Sequence, residues 1–467
     1  MPAIVDIHCH NFNADDLPVK GFVRRVIGTK TALAKIVDGV IDSKVQGYAP
    51  GFKQELKEIA ARLDPAAAGL EAAIFEPDLD QEADDIFNEL AEQNVELVRE
   101  AGVEVSLEEG PGAGQEGLES VLDWGSAVKR WIKWALLFAK ARIRLTEILA
   151  QTYGEVDLFT PMLVDLEPGL GDRPETSIRD QLEMQSEISK VSMLGRLRGA
   201  EDTRVHPFVG FDPRRPEGVD LVVEAVNDFG FVGVKMYPPM GFRPLGNAHT
   251  PLPIGMDTAQ AAAADAALRE LYGFCQREDV PITAHGNPTN FADEEFEGFS
   301  SPHNWRMVLS EFPELHLNLG HFGGKGKGEH PDWPHQIAAL ATAFPYLFAD
   351  IGNHQLDGLD DYMTMLEQLF STKATEDMMG RVMFGTDWFM VASHRDFKSF
   401  LTGFETYFGK HFPAKDFPKA LESFMGGAAL HFLGFDDAEN KNAKRLAARY
   451  DALGALPPDW LATAEGT

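Results

Sequence analysis

Cysteine is scarce in this chain, which has only two, Cys9 and Cys275, among 467 residues. Two cysteines cannot build the disulfide framework of a small secreted scaffold, and they fit a reducing compartment. The N-terminal segment also lacks the basic stretch and the following apolar run of a secretory signal. We therefore expect a cytoplasmic protein.

Long apolar runs are missing as well. The most apolar helical stretch, residues 131–150, contains Lys133, Lys140, Arg142 and Arg144, so no run approaches the roughly 20 apolar residues of a membrane span. Its Trp, Leu and Ile positions recur at helical spacing, which is typical of a core or subunit contact; a helix lying on a membrane surface is the alternative. We expect no membrane-spanning segment and no membrane partner.

Basic residues are few relative to acidic ones. The chain has 42 Lys and Arg against 73 Asp and Glu, which gives a formal net charge of -31. Nucleic acids and anionic lipids are bound through a basic face, so this balance argues against both kinds of partner. With 44% hydrophobic and 25% charged residues, the composition is that of a folded globular protein with an acidic, solvated surface.

Short apolar runs recur along the chain, and amphipathic helical patterns lie between most of them. Such alternation favours a parallel sheet with crossover helices, and eight units predict an α/β fold of the closed (β/α)₈ barrel type, one domain over residues 1–467. The active site of such a barrel lies at the C-terminal ends of its strands. The predicted strands are 3–8, 157–164, 205–211, 232–236, 281–285, 315–320, 346–351 and 381–385, and the clearest helices are 176–194, 258–277, 356–370 and 397–408.

The interval between the first two predicted strands is much longer than one crossover. It carries helical patterns near 52–63, 82–101 and 118–151, with a glycine-rich hinge at 109–114. We therefore predict a helical insertion over residues 20–152. Because it begins at the end of the first strand, it starts beside the expected site, where it would serve as a lid or a dimerisation arm; a purely structural helical layer is an equal alternative.

Candidate metal ligands stand at the ends of these apolar runs. His8 and His10 end the first strand and, with one residue between them, point to the same face. His285, His321 and Asp387 each follow another run. Imidazole and carboxylate ligands suit a divalent metal, with Zn²⁺ the first choice and Mn²⁺ the second. The alternatives are polar residues that merely end strands, hydrogen-bonded core histidines and, for Asp387, a helix cap.

Taken together, the sequence 6–10, His285, His321 and the sequence 384–388 resemble the amidohydrolase superfamily. The likeness is to its amidohydrolase-related branch, which includes aminocarboxymuconate semialdehyde decarboxylase and related aromatic-acid decarboxylases and lactonases. It extends over all eight predicted strands but not over the insertion.

The resemblance implies that His8, His10, His285 and Asp387 bind the divalent metal. It also implies that His321 is the catalytic histidine in members with one metal and a ligand in members with two. By its chemistry, Asp387 would both hold the metal and accept the proton as hydroxide forms.

Three cations near the predicted strand ends are further candidates. Lys235, at the end of the fourth strand, would bridge two metals if carboxylated, as in some superfamily members; as a free amine it would bind a substrate carboxylate or have no role. Arg214 and Arg243 follow the third and fourth strands, where either would grip a carboxylate, although surface ion pairs are commoner. The glycine-rich loop 323–328 lacks the ending of a phosphate-binding loop.

We therefore expect a metal-dependent hydrolase that cleaves an amide, ester or lactone bond of a small carboxylated molecule with a metal-activated water. Non-oxidative decarboxylation of an aromatic or dienoic acid at the same metal is the alternative within the enzyme class. A catalytically inactive binding protein is the alternative from another class, and the fold alone does not separate the three. The expected partners are a small-molecule substrate and a second copy of the chain in a homodimer.

Overall fold

The computed structural model describes residues 3–27, 31–64, 78–108, 121–171, 173–288, 294–324, 332–372 and 376–463. The predicted hinge at 109–114 and positions 325–328 of the predicted glycine-rich loop lie outside these ranges. Within them, no helix combines the length and the apolar character needed to cross a bilayer.

Nine short strands form two parallel sheets in the described part of the chain. The first sheet has the order β1-β2-β3 and the second the order β4-β5-β6-β7-β8-β9, so neighbours in space are neighbours in the chain. Their residues are almost all buried, as expected when both faces of a parallel sheet are covered. The strands are β1 (Val5–Cys9), β2 (Leu158–Pro161), β3 (Arg204–Val205), β4 (Phe208–Phe211), β5 (Gly233–Met236), β6 (Ile282–His285), β7 (Leu317–Gly320), β8 (Leu347–Asp350) and β9 (Val382–Met383).

Backbone contacts join the two sheets on both sides. Met162, just after β2, pairs in parallel with Phe208 of β4. On the other side the Ile7 N–H donates to the Phe384 carbonyl at 3.2 Å, and Cys9 pairs in parallel with Trp388. The residues that follow β9 therefore lie directly against β1.

Helices separate all successive strands except β3 and β4, and seven of them lie between β1 and β2. We call residues 10–157 the helical region; it contains α1 (Val19–Ile27), α2 (Ala32–Val40), α3 (Phe52–Leu63), α4 (Leu79–Gln93), α5 (Val95–Glu108), α6 (Val121–Leu137) and α7 (Arg142–Thr152). The remaining helices are α8 (Glu167–Leu170), α9 (Ile178–Met193), α10 (Gly218–Glu224), α11 (Thr258–Arg277), α12 (Trp305–Glu311), α13 (Trp333–Ala341), α14 (Leu359–Leu369), α15 (Glu376–Met379), α16 (Phe400–His411), α17 (Ala420–Glu422), α18 (Ala428–Leu433) and α19 (Lys441–Ala452).

Shorter helical turns occur beside several of these elements. The π-helical turns are Ile41–Val45, Ala225–Phe229 and Ser423–Gly427, and the 3₁₀ turns are Ala14–Asp16, Pro238–Met240, Glu294–Ser300, Pro302–Asn304, His321–Gly323, Met390–Ser393 and Phe397–Ser399.

Three predicted elements are each divided in two. The predicted strand 205–211 breaks at Pro207, because proline has no N–H to donate to the ladder. The predicted helix 82–101 ends at Gln93 and restarts at Val95, where the Asn94 side chain accepts the Leu97 N–H at 3.2 Å and so caps the new helix. The predicted helix 118–151 is likewise split between α6 and α7.

A buried ion cluster ties the helical region together. The Arg142 guanidinium, which is fully buried at the start of α7, donates to Asp16 at 2.7 and 2.8 Å, to Glu55 of α3 at 2.7 Å and to the Thr176 hydroxyl at 2.8 Å. Burial raises the pKa of Glu55 although Arg142 opposes the shift. The cluster thus joins α3 and α7 to the segments that follow β1 and precede α9.

The N-terminal ends of the strands are covered by the last helices of the chain. Val5 and Ile7 belong to a buried cluster that includes Phe432 of α18 and Leu446 and Tyr450 of α19. This packing closes one end of the sheets with apolar side chains. The polar residues described next lie at the opposite end.

Candidate metal centre

Seven buried polar side chains collect at the C-terminal ends of the strands. Each one ends a strand, comes next to its last residue or follows it within a few positions, where parallel strands bring their ends together. They are His8 and His10 at β1, Lys235 at β5, His285 at β6, His321 after β7, Asp350 at β8 and Asp387 after β9, and none is more than 6% exposed.

The structure brings together three of the predicted ligands. The Asp387 Oδ1 lies 3.1 Å from the His10 Nε2 and 3.7 Å from the His8 Nε2. All three donor atoms are within 4.8 Å of one another. Burial alone would raise the pKa of Asp387, but the hydrogen bond from His10 and the nearby His8 and His321 outweigh it and lower that pKa to about 2.

The backbone that carries these ligands approaches closely and is locally strained. The Asp387 N–H donates to the His8 carbonyl at 2.6 Å, and a Cβ on Gly385 would lie only 2.8 Å from the His8 Cβ, so glycine is required there. Asp387 (φ 61°) and His321 (φ 64°) adopt left-handed conformations. Non-glycine residues rarely do so, and such strain is concentrated at functional sites.

Asp350 fixes the ring of His8. Its two carboxylate oxygens each lie 3.0 Å from the His8 Nδ1, and it also accepts hydrogen bonds from the Asn318 side chain at 2.7 Å and from the backbone N–H groups of Gly352 and His321 at 2.9 and 3.1 Å. These bonds make Asp350 the acceptor and the His8 Nδ1–H the donor. The lone pair of the His8 Nε2 is thereby left for another partner.

One possible ligand atom from each of His8, His321 and Asp350 also lies within 4.8 Å of the other two. This second group is a poor ion site, because the Asp350 oxygens and the His8 Nδ1 already bind each other. Burial would raise the pKa of Asp350, but His8, His321 and Asn318 hold it well below its usual range. Burial, more than any other cause, lowers the pKa of His8 to about 4. Its imidazole is neutral near pH 7 and able to bind a cation.

Lys235 is buried against the same histidine. Its Nζ lies 2.9 Å from the His8 Nε2, and an amine N–H donates to that lone pair. Burial lowers the pKa of Lys235 to about 8, although Asp350 and Asp387 oppose the shift. Lys235 thus lies near the end of β5 and next to His8, one of the three converging ligands.

His285 and His321 form a second histidine pair. The His321 Nδ1 lies 2.9 Å from the Gly352 carbonyl and therefore donates to it, so its Nε2 accepts from the His285 Nδ1 at 3.2 Å. The His285 Nε2 is then an unprotonated nitrogen, buried without a hydrogen-bond partner among the described residues. Burial and the neighbouring His321 and Lys235 hold the pKa of His285 well below its usual range.

Two further polar residues, Asp6 and Asp350, contact the ligands or the segments that carry them, and neither is predicted from the sequence as a site residue. Asp6 accepts the Thr386 hydroxyl at 2.6 Å and the Thr386 N–H at 3.0 Å, which ties β1 to the segment that carries Asp387; burial raises the pKa of Asp6 to about 7. Asp350 ends the run Leu347–Asp350 as the other ligands end theirs. A position at the end of a strand is the signal that could have identified Asp350. The predicted strand 346–351 extends one residue too far and so places Asp350 inside the strand.

Six of the seven polar side chains at the strand ends, all except Asp350, line a cavity of about 260 Å³. The rest of its lining is largely apolar, apart from Asn287 and Asn353, and comes from segments that follow β1, β2, β5, β6, β8 and β9. It includes Phe12, Phe22, Val164, Leu166, Tyr237 and Met390.

The structure does not bring the two predicted arginines to this cavity. Arg214 donates to both oxygens of Asp212 at 2.9 and 2.6 Å and to the Met240 carbonyl. Arg243 donates to the Pro251 carbonyl at 2.9 Å, and its guanidinium lies 4.9 Å from the Phe299 ring. A substrate contact by either arginine stays a prediction.

Comparison with solved structures finds several chains of low similarity. A zinc-bound amidohydrolase from Burkholderia multivorans is 12% identical, with 64% of this chain and 91% of that chain covered at a TM-score of 0.39. Dihydroorotase from Saccharomyces cerevisiae, in complex with 5-fluoroorotic acid, is 16% identical, with 64% and 82% covered at 0.37. 4-Oxalomesaconate hydratase from Rhodopseudomonas palustris is 14% identical, with 97% and 98% covered at 0.35.

A sequence search of curated proteins gives no match. The model of a protein family described as amidohydrolase matches residues 158–435. This range is more than half of the chain and contains β2 to β9 with all the candidate site residues except His8 and His10. The chain belongs to the amidohydrolase family.

Proposed function

We propose that the chain is a divalent-metal-dependent hydrolase that cleaves an ester, amide or lactone bond of a small molecule. The observation that carries the proposal is the convergence of the His8 Nε2, the His10 Nε2 and the Asp387 Oδ1 at one buried point beside a cavity. Membership of the amidohydrolase family supports metal-dependent chemistry of this general kind.

The donor set fits a metal such as Zn²⁺ or Mn²⁺. Two imidazoles and a carboxylate are ligands that these ions accept. The buried His285 Nε2 has a lone pair with no described partner, and we assign it as the fourth ligand. When bound, the ion supplies a water of lowered pKa and polarises the carbonyl group under attack.

The chain's own residues then divide the remaining tasks. Asp387 is ionised at neutral pH, so its carboxylate accepts the proton that the attacking water loses. His321 accepts the Nδ1–H of His285, so we propose that it orients that proposed ligand toward the ion. Asp350 is a positioning residue, because it fixes the protonated nitrogen of His8.

We propose one metal per chain, with Lys235 as a free amine. Binding of the ion by the His8 Nε2 would displace the Lys235 N–H that donates to it, and that N–H would then donate to a substrate oxygen. Carboxylation of Lys235 would create a bridging anion and raise the metal count to two, so the count discriminates between the two roles.

We make two further proposals, one about the closure of the fold and one about the branch of the amidohydrolase superfamily. We infer that the two sheets form one closed (β/α)₈ barrel, in which the β3 and β4 segments make a single interrupted strand and residues 20–152 are a helical insertion. The contacts of Met162 with Phe208 and of Ile7 with Phe384 support this closure. We place the chain in the amidohydrolase-related branch, on the ligand pattern given above.

A substrate panel tests the activity. Zinc-loaded and metal-stripped protein are assayed with aryl esters, anilides and lactones, and release of the acid is expected only with metal. Asp387→Asn should lose this turnover, while Asp396→Asn, an exposed carboxylate on the same segment, should keep it. Metal-dependent CO₂ release from aromatic acids, without hydrolysis of any panel member, would show a decarboxylase instead.

A further inference from the structure

The helical region contributes two aromatic side chains to the site cavity. Phe12 follows β1 and Phe22 lies on α1, and both line the cavity with Val164, Leu166 and Met390. Phe12 is 4% exposed and Phe22 is 6% exposed. We call these two side chains the aromatic wall.

Packing behind the aromatic wall fixes the position of both rings. Phe12 and Phe22 have ring centroids 5.9 Å apart, Phe22 and Phe138 6.0 Å, Phe138 and Phe389 4.9 Å, and Phe389 and Phe12 5.4 Å. The four rings therefore close a cycle in which each pair meets edge to face, a favourable geometry. Phe138 and Phe389 are fully buried, so the wall has little freedom to retreat from a ligand.

The aromatic wall lies next to the proposed metal ligands. The Phe12 ring is 5.2 Å from the His10 ring, and Phe389 follows Asp387 by two positions. The Ala14 N–H donates to the Phe138 carbonyl at 2.9 Å, which fastens the segment after β1 to the end of α6. A molecule whose reacting group reaches His10 and Asp387 therefore places its neighbouring atoms against Phe12 and Phe22.

Charge is distributed unevenly in the cavity. Among the described lining residues Lys235 is the only Lys or Arg, and its Nζ lies at the proposed metal centre, 2.9 Å from the His8 Nε2. A carboxylate on the part of the substrate that faces the aromatic wall would lose its hydration without a described cation to pair with. Burying an unpaired charge in this way is costly.

We propose that the aromatic wall determines specificity and that the group next to the cleaved bond is compact, neutral and apolar, such as a single aryl ring. A substrate that carries a carboxylate on that group should bind more weakly. The inference rests on the metal centre of the proposed function, and it assigns substrate choice to the helical region. The cavity volume of about 260 Å³ lies below the range of about 300–1,000 Å³ that is usual for drug-sized ligands.

Binding of aryl hydroxamic acids tests the proposal without requiring turnover, because the two hydroxamate oxygens chelate a divalent metal. Dissociation constants are measured by titration calorimetry on the zinc-loaded full chain. Benzohydroxamate should bind the wild type about 10-fold more tightly than 4-carboxybenzohydroxamate, a difference of about 1.4 kcal/mol. Equal or tighter binding of the carboxylated compound would overturn the proposal, as would a failure of both to bind.

Phe22→Ala tests the wall itself. Removing the ring should improve the binding of 2-naphthohydroxamate relative to benzohydroxamate by about 10-fold, within the range that apolar pocket contacts provide. Phe22→Leu should shift the ratio in the same direction by less, and it serves as the measurement if the alanine variant does not fold. The matched control is Val23→Ala, which removes a buried side chain of the same helix that is not part of the cavity lining.

An unchanged ratio in both Phe22 variants, or an equal shift in Val23→Ala, would contradict the proposed role of Phe22. The expected hydroxamate selectivity without hydrolysis of any ester, anilide or lactone would support the wall while removing the proposed hydrolytic function. The two failures are thus distinguishable.

Discussion

The Nδ1 of His8 lies 3.0 Å from both carboxylate oxygens of Asp350, a residue 342 positions later in the chain. This contact fixes the proton of His8 on Nδ1 and directs the lone pair of its Nε2 toward His10 and Asp387. The metal centre proposed above therefore depends on a residue that is not itself a ligand.

Asp350→Asn should weaken metal binding by about 10- to 100-fold, as is typical when a residue that orients a metal-binding histidine is changed. An asparagine cannot accept from His8 with both side-chain atoms, so the ring is no longer held in one tautomer. Zinc affinity is measured by competition with a chelator of known affinity. Asp357→Asn, an exposed carboxylate in the loop after β8, is the control, and equal affinities in all three proteins would refute the positioning role.

Asp387→Asn should leave the fold intact while lowering kcat by about 10²- to 10⁴-fold, the usual contribution of a general base. The amide can neither accept the proton from water nor neutralise a cation. Melting temperature and kcat are compared for the wild type and the variant on the best substrate of the panel. A kcat within twofold of the wild type would remove Asp387 from the mechanism.

Arg142→Met should destabilise the protein by about 3–5 kcal/mol, because Asp16 and Glu55 would remain buried without their cation. The free energy of unfolding is obtained from urea titrations. Arg99→Met is the comparison, since Arg99 is exposed and its ion pair among the described residues is with Glu96 on the same helix; its loss should cost less than about 1 kcal/mol. Similar small effects in both variants would contradict the structural role of the cluster.

Stability should fall as the pH drops below about 6.5, the value at which an unfolded histidine titrates, in part because of His206. This ring is buried between the Ser189 and Tyr450 hydroxyls, each at 3.2 Å, and burial, followed by Arg449 and Arg204, lowers its pKa to about 3. Between these two pH values the His206 ring is protonated in the unfolded chain but not in the folded chain. The contribution of His206 is complete above pH 6.5 and is lost progressively toward pH 3.

His206→Gln should remove this part of the pH dependence. Between pH 7.5 and pH 5 the wild type should lose about 2 kcal/mol more than the variant, which follows from the difference in pKa between the two states. Urea titrations at both pH values measure it, with His303→Gln as the exposed control. Parallel losses in wild type and His206→Gln would show that this histidine does not contribute.

Much of the local structure was predictable because it depends on nearby residues. The apolar runs that end at His285 and before His321 and Asp387 are strands in the structure, and the helices at 52–63 and 258–277 have the predicted bounds. The helix that begins at Thr258 carries a local signal, a capping box of Asp257 and Gln260. The breaks at Pro207 and Asn94 obey local rules of the same kind.

The parts that could not be predicted depend on contacts between distant segments. The pairing of Asp350 with His8 and of Thr386 with Asp6 joins residues that are more than 300 positions apart in the chain. The aromatic wall depends on how α1 and the end of α6 pack against the segment after β9, which no periodicity in the sequence specifies. The sequence likewise could not show that Arg214 donates to the Met240 carbonyl, 26 positions later in the chain.

Metal content per chain, measured by elemental analysis on the wild type and on His8→Ala/His10→Ala after supplementation with zinc, tests the central claim most directly. We expect about one ion per chain in the wild type and none in the folded double variant. Two ions per chain would make carboxylated Lys235 the better account, and a wild type that binds no metal would contradict the proposed centre.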